Sequence, residues 1–179
     1  MIIIGIGSNL AAPHFASPLR TALAALSRLP RIGIGVKLCS RWYLSAPVPA
    51  SDQPWYVNAV AIVETRLAPL GLLAALLGVE RQFSRRRSER NAARSLDLDL
   101  LDYDGWGFHR PRLLLPHPRL SERRFVLAPL AEIAPRWRHP ALGRTAAELL
   151  VRLPAGQPIR PMEPMARAAG HCGCRGTPI

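Results

Sequence analysis

Glu89-Arg-Asn-Ala-Ala-Arg94-Ser-Leu-Asp97-Leu-Asp99-Leu-Leu-Asp102-Tyr-Asp-Gly105 is the segment around which the chain is organised. From Leu96 to Tyr103 apolar and acidic residues alternate, which predicts a strand with a leucine face and an acidic face. Asp97 and Asp99 therefore project to the same side, with their backbones about 7 Å apart. Two carboxylates in this arrangement can hold divalent cations.

The residues that precede this strand are rich in arginine. They are Arg81, Arg85, Arg86, Arg87, Arg90 and Arg94. An isolated Asp-x-Asp is more often solvated or salt-bridged than metal-binding, and both readings stay open here. However, guanidinium groups fit phosphate oxygens, and Mg²⁺ typically takes one or two carboxylates plus substrate phosphates. The combination favours a nucleotide polyphosphate with its metal.

Composition limits the class of protein. A chain of 179 residues suits one well-cored domain. Its formal charge of +12 comes almost entirely from arginine, since Lys37 is the only lysine. A basic chain favours polyanionic partners such as nucleotides, nucleic acid or an anionic membrane surface, although arginine bias also follows from a GC-rich genome. Charge alone does not choose among these partners.

The sequence has the features of a cytoplasmic protein. No apolar run reaches the roughly 18 residues that a membrane-spanning helix needs. The start, from Met1 to Gly7, lacks the basic region and cleavage site of a signal peptide and predicts a first strand. The cysteines Cys39, Cys172 and Cys174 do not form a disulfide framework. We therefore expect a cytoplasmic location.

The first hundred residues predict an α+β fold. The expected order is a strand over 1–7, a helix from Pro18 to Pro30, strands over 34–44 and 56–64, a helix from Pro69 to Phe83, and the acidic strand. The expected helix stripes are Leu19, Leu23, Leu26 and Leu29, then Leu70, Leu73, Leu76, Leu77 and Phe83. This βαββαβ order is that of the ferredoxin-like core, with an antiparallel sheet and two helices on one face.

The remaining residues predict a second helical layer, and hence a three-layer αβα sandwich. Residues 106–115 can add a hairpin to the sheet, and Ser121 can cap a short helix over 123–128. We expect Pro129, Pro135 and Pro140 to interrupt the chain after that helix, and Thr145 to start a capping box with Glu148. The expected domain covers residues 1–155, and 156–179 form an unpacked tail.

Several motifs together resemble the 6-hydroxymethyl-7,8-dihydropterin pyrophosphokinases of folate biosynthesis, in the same order over about residues 1–155. The motifs are Gly7-Ser-Asn-Leu10; Asp52-Gln-Pro-Trp-Tyr-Val-Asn-Ala59; Glu80-x-x-x-Ser84-Arg85; Arg94-Ser-Leu-Asp-Leu-Asp99; and Pro116-His117 followed by Arg123-Arg-Phe125. One such block is weak evidence, but five in order are specific. The resemblance implies an αβα fold on a ferredoxin-like core and transfer of the diphosphate of ATP to the pterin hydroxymethyl group.

The resemblance also implies how ATP and its metal are held. Asp97 and Asp99 would bind two Mg²⁺ that bridge the phosphates of ATP, the co-substrate. The implied triphosphate ligands are Arg85, Arg94, Arg112 and Arg123, with Arg87 as a further match; Arg85 and Arg94 are counted with the two acids as catalytic. His117 matches a residue on an ATP phosphate, although a loop histidine bonded to backbone is the alternative. Glu80 matches a residue near the adenosine, and a solvated helix glutamate is the alternative.

The pterin side follows from the same resemblance. A flat polar heterocycle needs stacking faces and a group that reads its edge. Tyr56 and Phe125 match positions that line the pterin pocket, and Asn58 matches the residue that hydrogen-bonds the ring edge. Backbone contacts are expected from Ser45, Ala46 and Val48. Many relatives carry Trp-Gly-Pro-Arg-Thr where this chain has residues 91–95, so no aromatic lid is expected at Asn91.

Two other functions remain as hypotheses. A basic ferredoxin-like module could bind RNA, but the strands lack an evident aromatic platform for base stacking. The tail residues His171, Cys172 and Cys174 could bind a metal, but three ligands without a fourth partner make a poor zinc site. The favoured prediction is an enzyme that acts on ATP and the hydroxymethyl pterin, as a monomer or weak dimer, with no nucleic-acid or membrane partner.

Overall fold

A computed structural model describes residues 1–83 and 95–163. Its strands are β1 (Ile2–Ser8), β2 (Ile34–Cys39), β3 (Tyr43–Ser45), β4 (Tyr56–Thr65), β5 (Asp97–Tyr103), β6 (Phe108–Arg110), β7 (Leu113–Leu115) and β8 (Ile159–Pro161). Its helices are α1 (Pro18–Arg28), α2 (Pro69–Phe83), α3 (Arg124–Ile133) and α4 (Ala146–Arg152), with short 3₁₀ turns at 29–32 and 120–122. Among these residues no helix is both long and apolar enough to cross a lipid bilayer.

The main sheet is antiparallel and has the predicted ferredoxin-like order. Its strands follow the order β5-β1-β4-β3-β8, and β2 pairs with β4 beside β3. β1 is therefore an interior strand, between β4 and the edge strand β5. The α+β class with a ferredoxin-like core is confirmed.

Apolar clusters on both faces of the sheet make the three-layer sandwich. On one face Ile4 and Leu98 pack with residues of α1 and α2. On the other face Ile3 and Val60 pack with residues of α3 and α4. Strand side chains alternate between the two clusters, as the period-two pattern of β4 and β5 predicts. In the part of the chain that the structure describes, the sheet therefore offers no open aromatic face of the kind that the RNA-binding hypothesis requires.

The predicted stripes of both helices are partly wrong. In α1 the buried side chains are Leu19, Thr21, Ala22 and Ala25. In α2 they are Pro69, Leu72, Leu76, Val79 and Phe83, whereas Leu70 and Leu77 are 46% and 44% exposed. Leucine occupies several sides of each helix, so more than one stripe satisfies a 3.6-residue period. The small alanines allow α1 to approach the sheet closely, which a search for large apolar residues misses.

The expected strand over 34–44 is two strands. Between β2 and β3 the Ser40 hydroxyl accepts a hydrogen bond from the Val60 N–H at 3.1 Å, and the Ser40 N–H donates to the Val60 carbonyl at 2.9 Å. A side-chain oxygen thus replaces a backbone carbonyl at this point of the ladder. Pairing with β4 resumes at Tyr43, opposite Asn58.

Residues 106–115 form a hairpin, but it does not join the main sheet. Within residues 1–83 and 95–163, β6 and β7 pair only with each other, from Phe108 opposite Leu115 to Arg110 opposite Leu113. Leu113 and Leu115 are buried in the cluster under α1 and α2. The hairpin therefore packs through its side chains and not through backbone hydrogen bonds to the sheet.

The third helix differs from its prediction at both ends. Arg123, not Ser121, is its N-cap residue, and no side chain of the cap residue bonds the helix start. Pro129 lies inside the helix and is buried. Proline has no backbone N–H, so the helix lacks one of its hydrogen bonds there. Leu127 and Leu130, both fully buried, anchor the helix on the sheet on either side of it. The capping box of α4, between Thr145 and Glu148, is confirmed.

The segment after Gly156 is ordered up to Pro161, where the sequence predicts an unpacked tail. β8 pairs with β3, and Ile159 lies opposite Ser45. The pairing uses an open edge of a short strand, which composition does not reveal. Residues 164–179, with the proposed metal ligands of the tail, lie outside the described residues, and the domain boundary at 155 stays a prediction.

Candidate active site

The floor of the site is the backbone of β1. Gly7 lies opposite Asn58 of β4 and Asp97 of β5, and Gly5 lies opposite Asp99. A Cβ atom on Gly7 would lie 3.4 Å from Asn58 Oδ1 and 3.7 Å from Asp97 Cβ. Because glycine has no side chain, the space between the amide and the carboxylate stays open. The result is a shallow floor of main chain between an amide and two acids.

The two acids project from β5 as the sequence predicts. Leu98 and Leu100 turn to the buried cluster on the opposite face of the sheet. The Asp99 Oδ2 atom pairs with Arg123 Nη1 at 3.2 Å, and the side chains keep 35% and 22% of their exposure. The carboxylates are thus half-buried and accessible to a ligand. Asp99 is salt-bridged, which was one of the alternatives for this pair of acids.

Two walls enclose the floor. The first wall is the loop 46–55, which joins β3 to β4, and the second is the start of α3. Together they bound a cavity of about 200 Å³. Its lining is Gly5, Ile6, Gly7, Ser45, Ala46, Pro47, Val48, Pro49, Ser51, Gln53, Tyr56, Asn58, Ala59, Asp97, Asp99, Leu101, Arg123, Phe125 and Val126. The Arg123 guanidinium lies 5.5 Å from the centre of the Phe125 ring, so charge and ring share one wall.

A hydrogen-bonded amide marks the end of the cavity nearest the loop wall. Asn58 is only 5% exposed, and its Nδ2 donates to Ser45 Oγ at 2.9 Å. The Tyr56 hydroxyl donates to Gln53 Oε1 at 3.1 Å, and Asn9 Nδ2 donates to the same oxygen at 3.1 Å. A buried amide needs such partners, since a missing one costs about 1–3 kcal/mol. These bonds fix the orientation of the polar groups before any ligand binds.

His117 lies near the acids, in the loop after β7. Its N–H donates to the Leu101 carbonyl at 2.8 Å, and its Nδ1 accepts from the Arg119 N–H at 3.1 Å. Burial lowers the pKa of His117; the Asp99 carboxylate opposes this effect, and Arg123 adds to it. The ring is therefore neutral at neutral pH and carries its proton on Nε2. The two alternatives predicted for His117 are therefore compatible. The residue is bonded to backbone groups of its loop, and its Nε2 proton remains able to reach a phosphate.

All of the predicted pterin and metal residues meet in the cavity. The predicted residues that line it are Ser45, Ala46, Val48, Tyr56, Asn58, Asp97, Asp99, Arg123 and Phe125. Glu80 does not line it, because its Oε1 accepts the Leu98 N–H at 2.6 Å and so holds the start of β5. Arg112 is exposed in the turn between β6 and β7. Arg85, Arg87, Arg94 and Asn91 lie outside the described residues.

The sequence reasoning missed the residues that shape the floor. Gly5 and Gly7 alternate with Ile4 and Ile6, and this period-two spacing of glycine in a strand was a usable signal of close backbone approach. Leu101 was also missed, although the alternation that places Asp97 and Asp99 on one face of β5 places Leu101 on that face too.

Comparisons with known proteins point to one family. The family model for 7,8-dihydro-6-hydroxymethylpterin-pyrophosphokinase (HPPK) matches residues 3–135. The 2-amino-4-hydroxy-6-hydroxymethyldihydropteridine pyrophosphokinase of Pseudomonas aeruginosa is 42% identical over 153 residues, which cover 86% of this chain and 91% of the relative. The protein of the same name from Synechocystis sp. is 39% identical over 148 residues, which cover 83% of this chain and 73% of the relative.

A solved structure shares the fold at low identity. The crystal structure of Plasmodium falciparum HPPK-DHPS wild type with SDX-DHP superposes with a TM-score of 0.62 at 14% identity. The match covers 84% of this chain and 43% of that chain, so this chain spans less than half of that protein. From the family match and the identity to its relatives, the chain belongs to the 7,8-dihydro-6-hydroxymethylpterin-pyrophosphokinase family.

Proposed function

We propose that the cavity over β1 binds the hydroxymethyl dihydropterin beside Mg·ATP and carries out the reaction of this family. That reaction is transfer of the diphosphate of ATP to the pterin hydroxymethyl group in folate synthesis, which makes the chain a diphosphotransferase. One observation carries the assignment to this cavity: Gly7 separates Asn58 from Asp97, so a group that reads a ring edge and a metal-binding acid face each other over open backbone.

The end of the cavity with Asn58 suits the pterin. A flat heterocycle can rest on the glycine backbone with its edge at the Asn58 amide, between the ring of Tyr56 and that of Phe125. We place the triphosphate beyond Asp97 and Asp99, on the side of the cavity away from Asn58.

The donor set at the other end fits magnesium. Asp97 and Asp99 supply carboxylate oxygens from one strand face, and the described residues contain no cluster of three or more metal-binding side chains. Mg²⁺ is typically held by one or two carboxylates and completes its shell with phosphate and water. When bound, the metal neutralises phosphate charge during the displacement. Two ions are expected from the family resemblance.

The side chains of this site act by positioning and by charge. Arg123 holds Asp99 and offers its remaining N–H groups to phosphate oxygens. The neutral His117 can donate from Nε2 to a phosphate without adding a charge that would repel the arginines. Arg85, Arg87 and Arg94 are proposed to complete the phosphate contacts, and Glu80 supports them by fixing β5. Phosphoryl transfer needs little covalent help from the protein, so no general base is assigned.

Release of AMP that depends on the pterin tests the proposal. The assay contains the full chain, ATP, magnesium and 6-hydroxymethyl-7,8-dihydropterin, with the same mixture lacking the pterin as its control. We expect AMP and the pterin diphosphate in equal amounts only in the complete mixture. ATP hydrolysis that is independent of the pterin would refute the assignment. A monomer or weak dimer and a cytoplasmic location are also proposed.

A further inference from the structure

A short segment near the end of the described chain contacts both walls of the cavity. This segment, residues 157–161, is named the strap; it consists of Gln157, Pro158 and strand β8. It follows α4 and contributes no residue to the cavity lining. Its contacts are therefore with the groups that form the walls and not with the space where a ligand would bind.

The strap holds the loop wall at both of its ends. At the start of the loop, the Ala46 N–H donates to the Pro158 carbonyl at 3.1 Å, and the pairing of β8 with β3 begins beside it. At the end of the loop, the Arg160 guanidinium lies 5.8 Å from the centre of the Trp55 ring. Since the loop 46–55 has several prolines and no regular structure, these contacts restrict the drift of that wall.

The strap holds the helix wall through one side chain. Gln157 Oε1 accepts the Arg124 N–H at 2.8 Å, and Gln157 Nε2 donates to the Glu122 carbonyl at 2.8 Å. These two backbone groups flank Arg123 directly. The cap residue of α3 offers no side-chain hydrogen bond, so Gln157 satisfies a first-turn N–H that would otherwise be left to water. The glutamine thus acts as a cap that is distant in sequence.

Other contacts hold α3 at its far end. Glu132 Oε2 accepts the Tyr43 hydroxyl at 2.7 Å, and Glu132 Oε1 accepts the Arg41 N–H at 3.2 Å. These bonds tie the last turn of α3 to the sheet. At the other end of α3, Val126 and Leu127 are buried and Arg124 Nη2 donates to the Leu153 carbonyl at 3.2 Å, while Gln157 holds the backbone groups on either side of Arg123.

We propose that the strap fixes the spacing of the two cavity walls, and that Gln157 is a positioning residue that acts through Arg123. The inference rests on the proposed function, because the substrates are those of the diphosphate transfer. Gln157 touches neither substrate in this scheme. Its effect is to keep the Arg123 guanidinium on Asp99 and the Phe125 ring on the pterin face, where a displacement of about 1 Å can cost on the order of 100-fold in rate.

The test compares Gln157→Ala with a matched control, Thr65→Ala. The Thr65 hydroxyl makes the same two kinds of bond at the opposite end of β4: it donates to the Gly33 carbonyl at 2.8 Å and accepts the Leu67 N–H at 3.2 Å. Both variants remove one such pair. We expect Gln157→Ala to lower kcat by at least about 10-fold and to raise the KM for the pterin, while Thr65→Ala keeps both constants. Equal kinetic constants in the two variants would overturn the proposal.

A double variant separates positioning from general loosening. In the Arg123→Ala background, Gln157→Ala should cost less than about 2-fold in kcat, because the guanidinium through which it acts on kcat is gone. Full additivity of the two effects would reject the route through Arg123. If Gln157→Ala does not fold, Gln157→Met keeps the side-chain length without the hydrogen bonds, and the same outcomes apply to it.

Hydrogen exchange tests the strap without any activity. Gln157→Ala should speed exchange of the Arg124 amide by at least about 10-fold, since its partner is removed, and Thr65→Ala should leave it unchanged. An unchanged Arg124 amide in Gln157→Ala would overturn the proposal even in an active enzyme. Failure of the wild-type chain to release AMP would instead count against the proposed function, so the two failures are distinguishable.

Discussion

Replacing Trp137 by Phe would remove the hydrogen bond of a buried carboxyl group. Asp102 is 1% exposed, and its Oδ2 accepts the Trp137 indole N–H at 2.8 Å. The other oxygen, Oδ1, has no hydrogen-bond partner among the described residues. The carboxyl lies on the face of the sheet that α3 and α4 cover, where Trp137 packs in the apolar cluster. Its one bond should therefore have a large effect on stability.

The magnitude follows from the loss of a partner and of volume. A buried polar group that loses its partner costs about 1–3 kcal/mol. The smaller ring leaves roughly 35 Å³ empty, which at about 24 cal/mol per Å³ adds about 1 kcal/mol. Trp137→Phe should thus destabilise by about 2–4 kcal/mol. Asp102→Leu leaves an unpaired indole N–H but gains apolar burial, so it should cost roughly 0–2 kcal/mol.

The double variant decides between a polar and a purely steric effect. With Asp102→Leu and Trp137→Phe together no buried polar group is left unpaired, and we expect about 1 kcal/mol of destabilisation from the cavity alone. The coupling between the two sites should then reach on the order of 3 kcal/mol.

Urea unfolding at constant m value measures each variant. Trp106→Phe is the matched control, because Trp106 is 56% exposed, and it should change stability by less than about 0.5 kcal/mol. If Trp137→Phe behaves like Trp106→Phe, or if the two single effects add, the account of this pair is wrong.

Three further outcomes are expected. Asp97→Asn and Asp99→Asn should each lower kcat by about 100-fold or more, with unfolding midpoints within error, because each removes a half-buried charge that we propose binds magnesium; full turnover in both would reject the magnesium proposal. Burial lowers the pKa of His139, against the pull of Asp102, so its stabilisation is complete above the unfolded pKa of about 6.5 and is lost as pH falls; urea midpoints from pH 7.5 to 5.5 should decline less in His139→Gln than in wild type. Burial, with the Glu132 carboxylate, raises the pKa of Cys39 to about 11, so in a Cys172→Ser, Cys174→Ser chain iodoacetamide at pH 8 should modify it far more slowly than an exposed thiol.

Strand faces could be predicted from the sequence because their period is two. The alternation of Val57, Ala59, Ala61 and Val63 with Tyr56, Asn58, Val60 and Ile62 separates the two sides of β4, and the structure confirms it. The same rule places Asp97 and Asp99 together. Each side chain of a strand points to one of only two faces, so a single buried leucine identifies the face that is turned to the core.

Other features depend on contacts distant in sequence. The cap of α3 comes from Gln157, and β8 finds its partner at Tyr43–Ser45. No local pattern encodes either pairing. The break at Ser40 depends on a hydroxyl that takes the place of a carbonyl, which a propensity-based reading treats as an ordinary strand residue. The helix stripes failed for a different reason, since leucine is too abundant in α1 and α2 to mark one side.

The main-chain floor at Gly5 and Gly7 has a consequence for drug resistance and for the evolution of selectivity. Peptide groups present the same N–H and C=O whatever residue carries them. A substitution at Gly5 or Gly7 can therefore fill the cavity with a side chain but cannot change the backbone groups of its floor. An inhibitor that rests on this floor would meet few escape mutations beneath it. Selectivity can instead change in the loop 46–55 and in the first turn of α3, where a substituted side chain alters the cavity walls and leaves the floor unchanged.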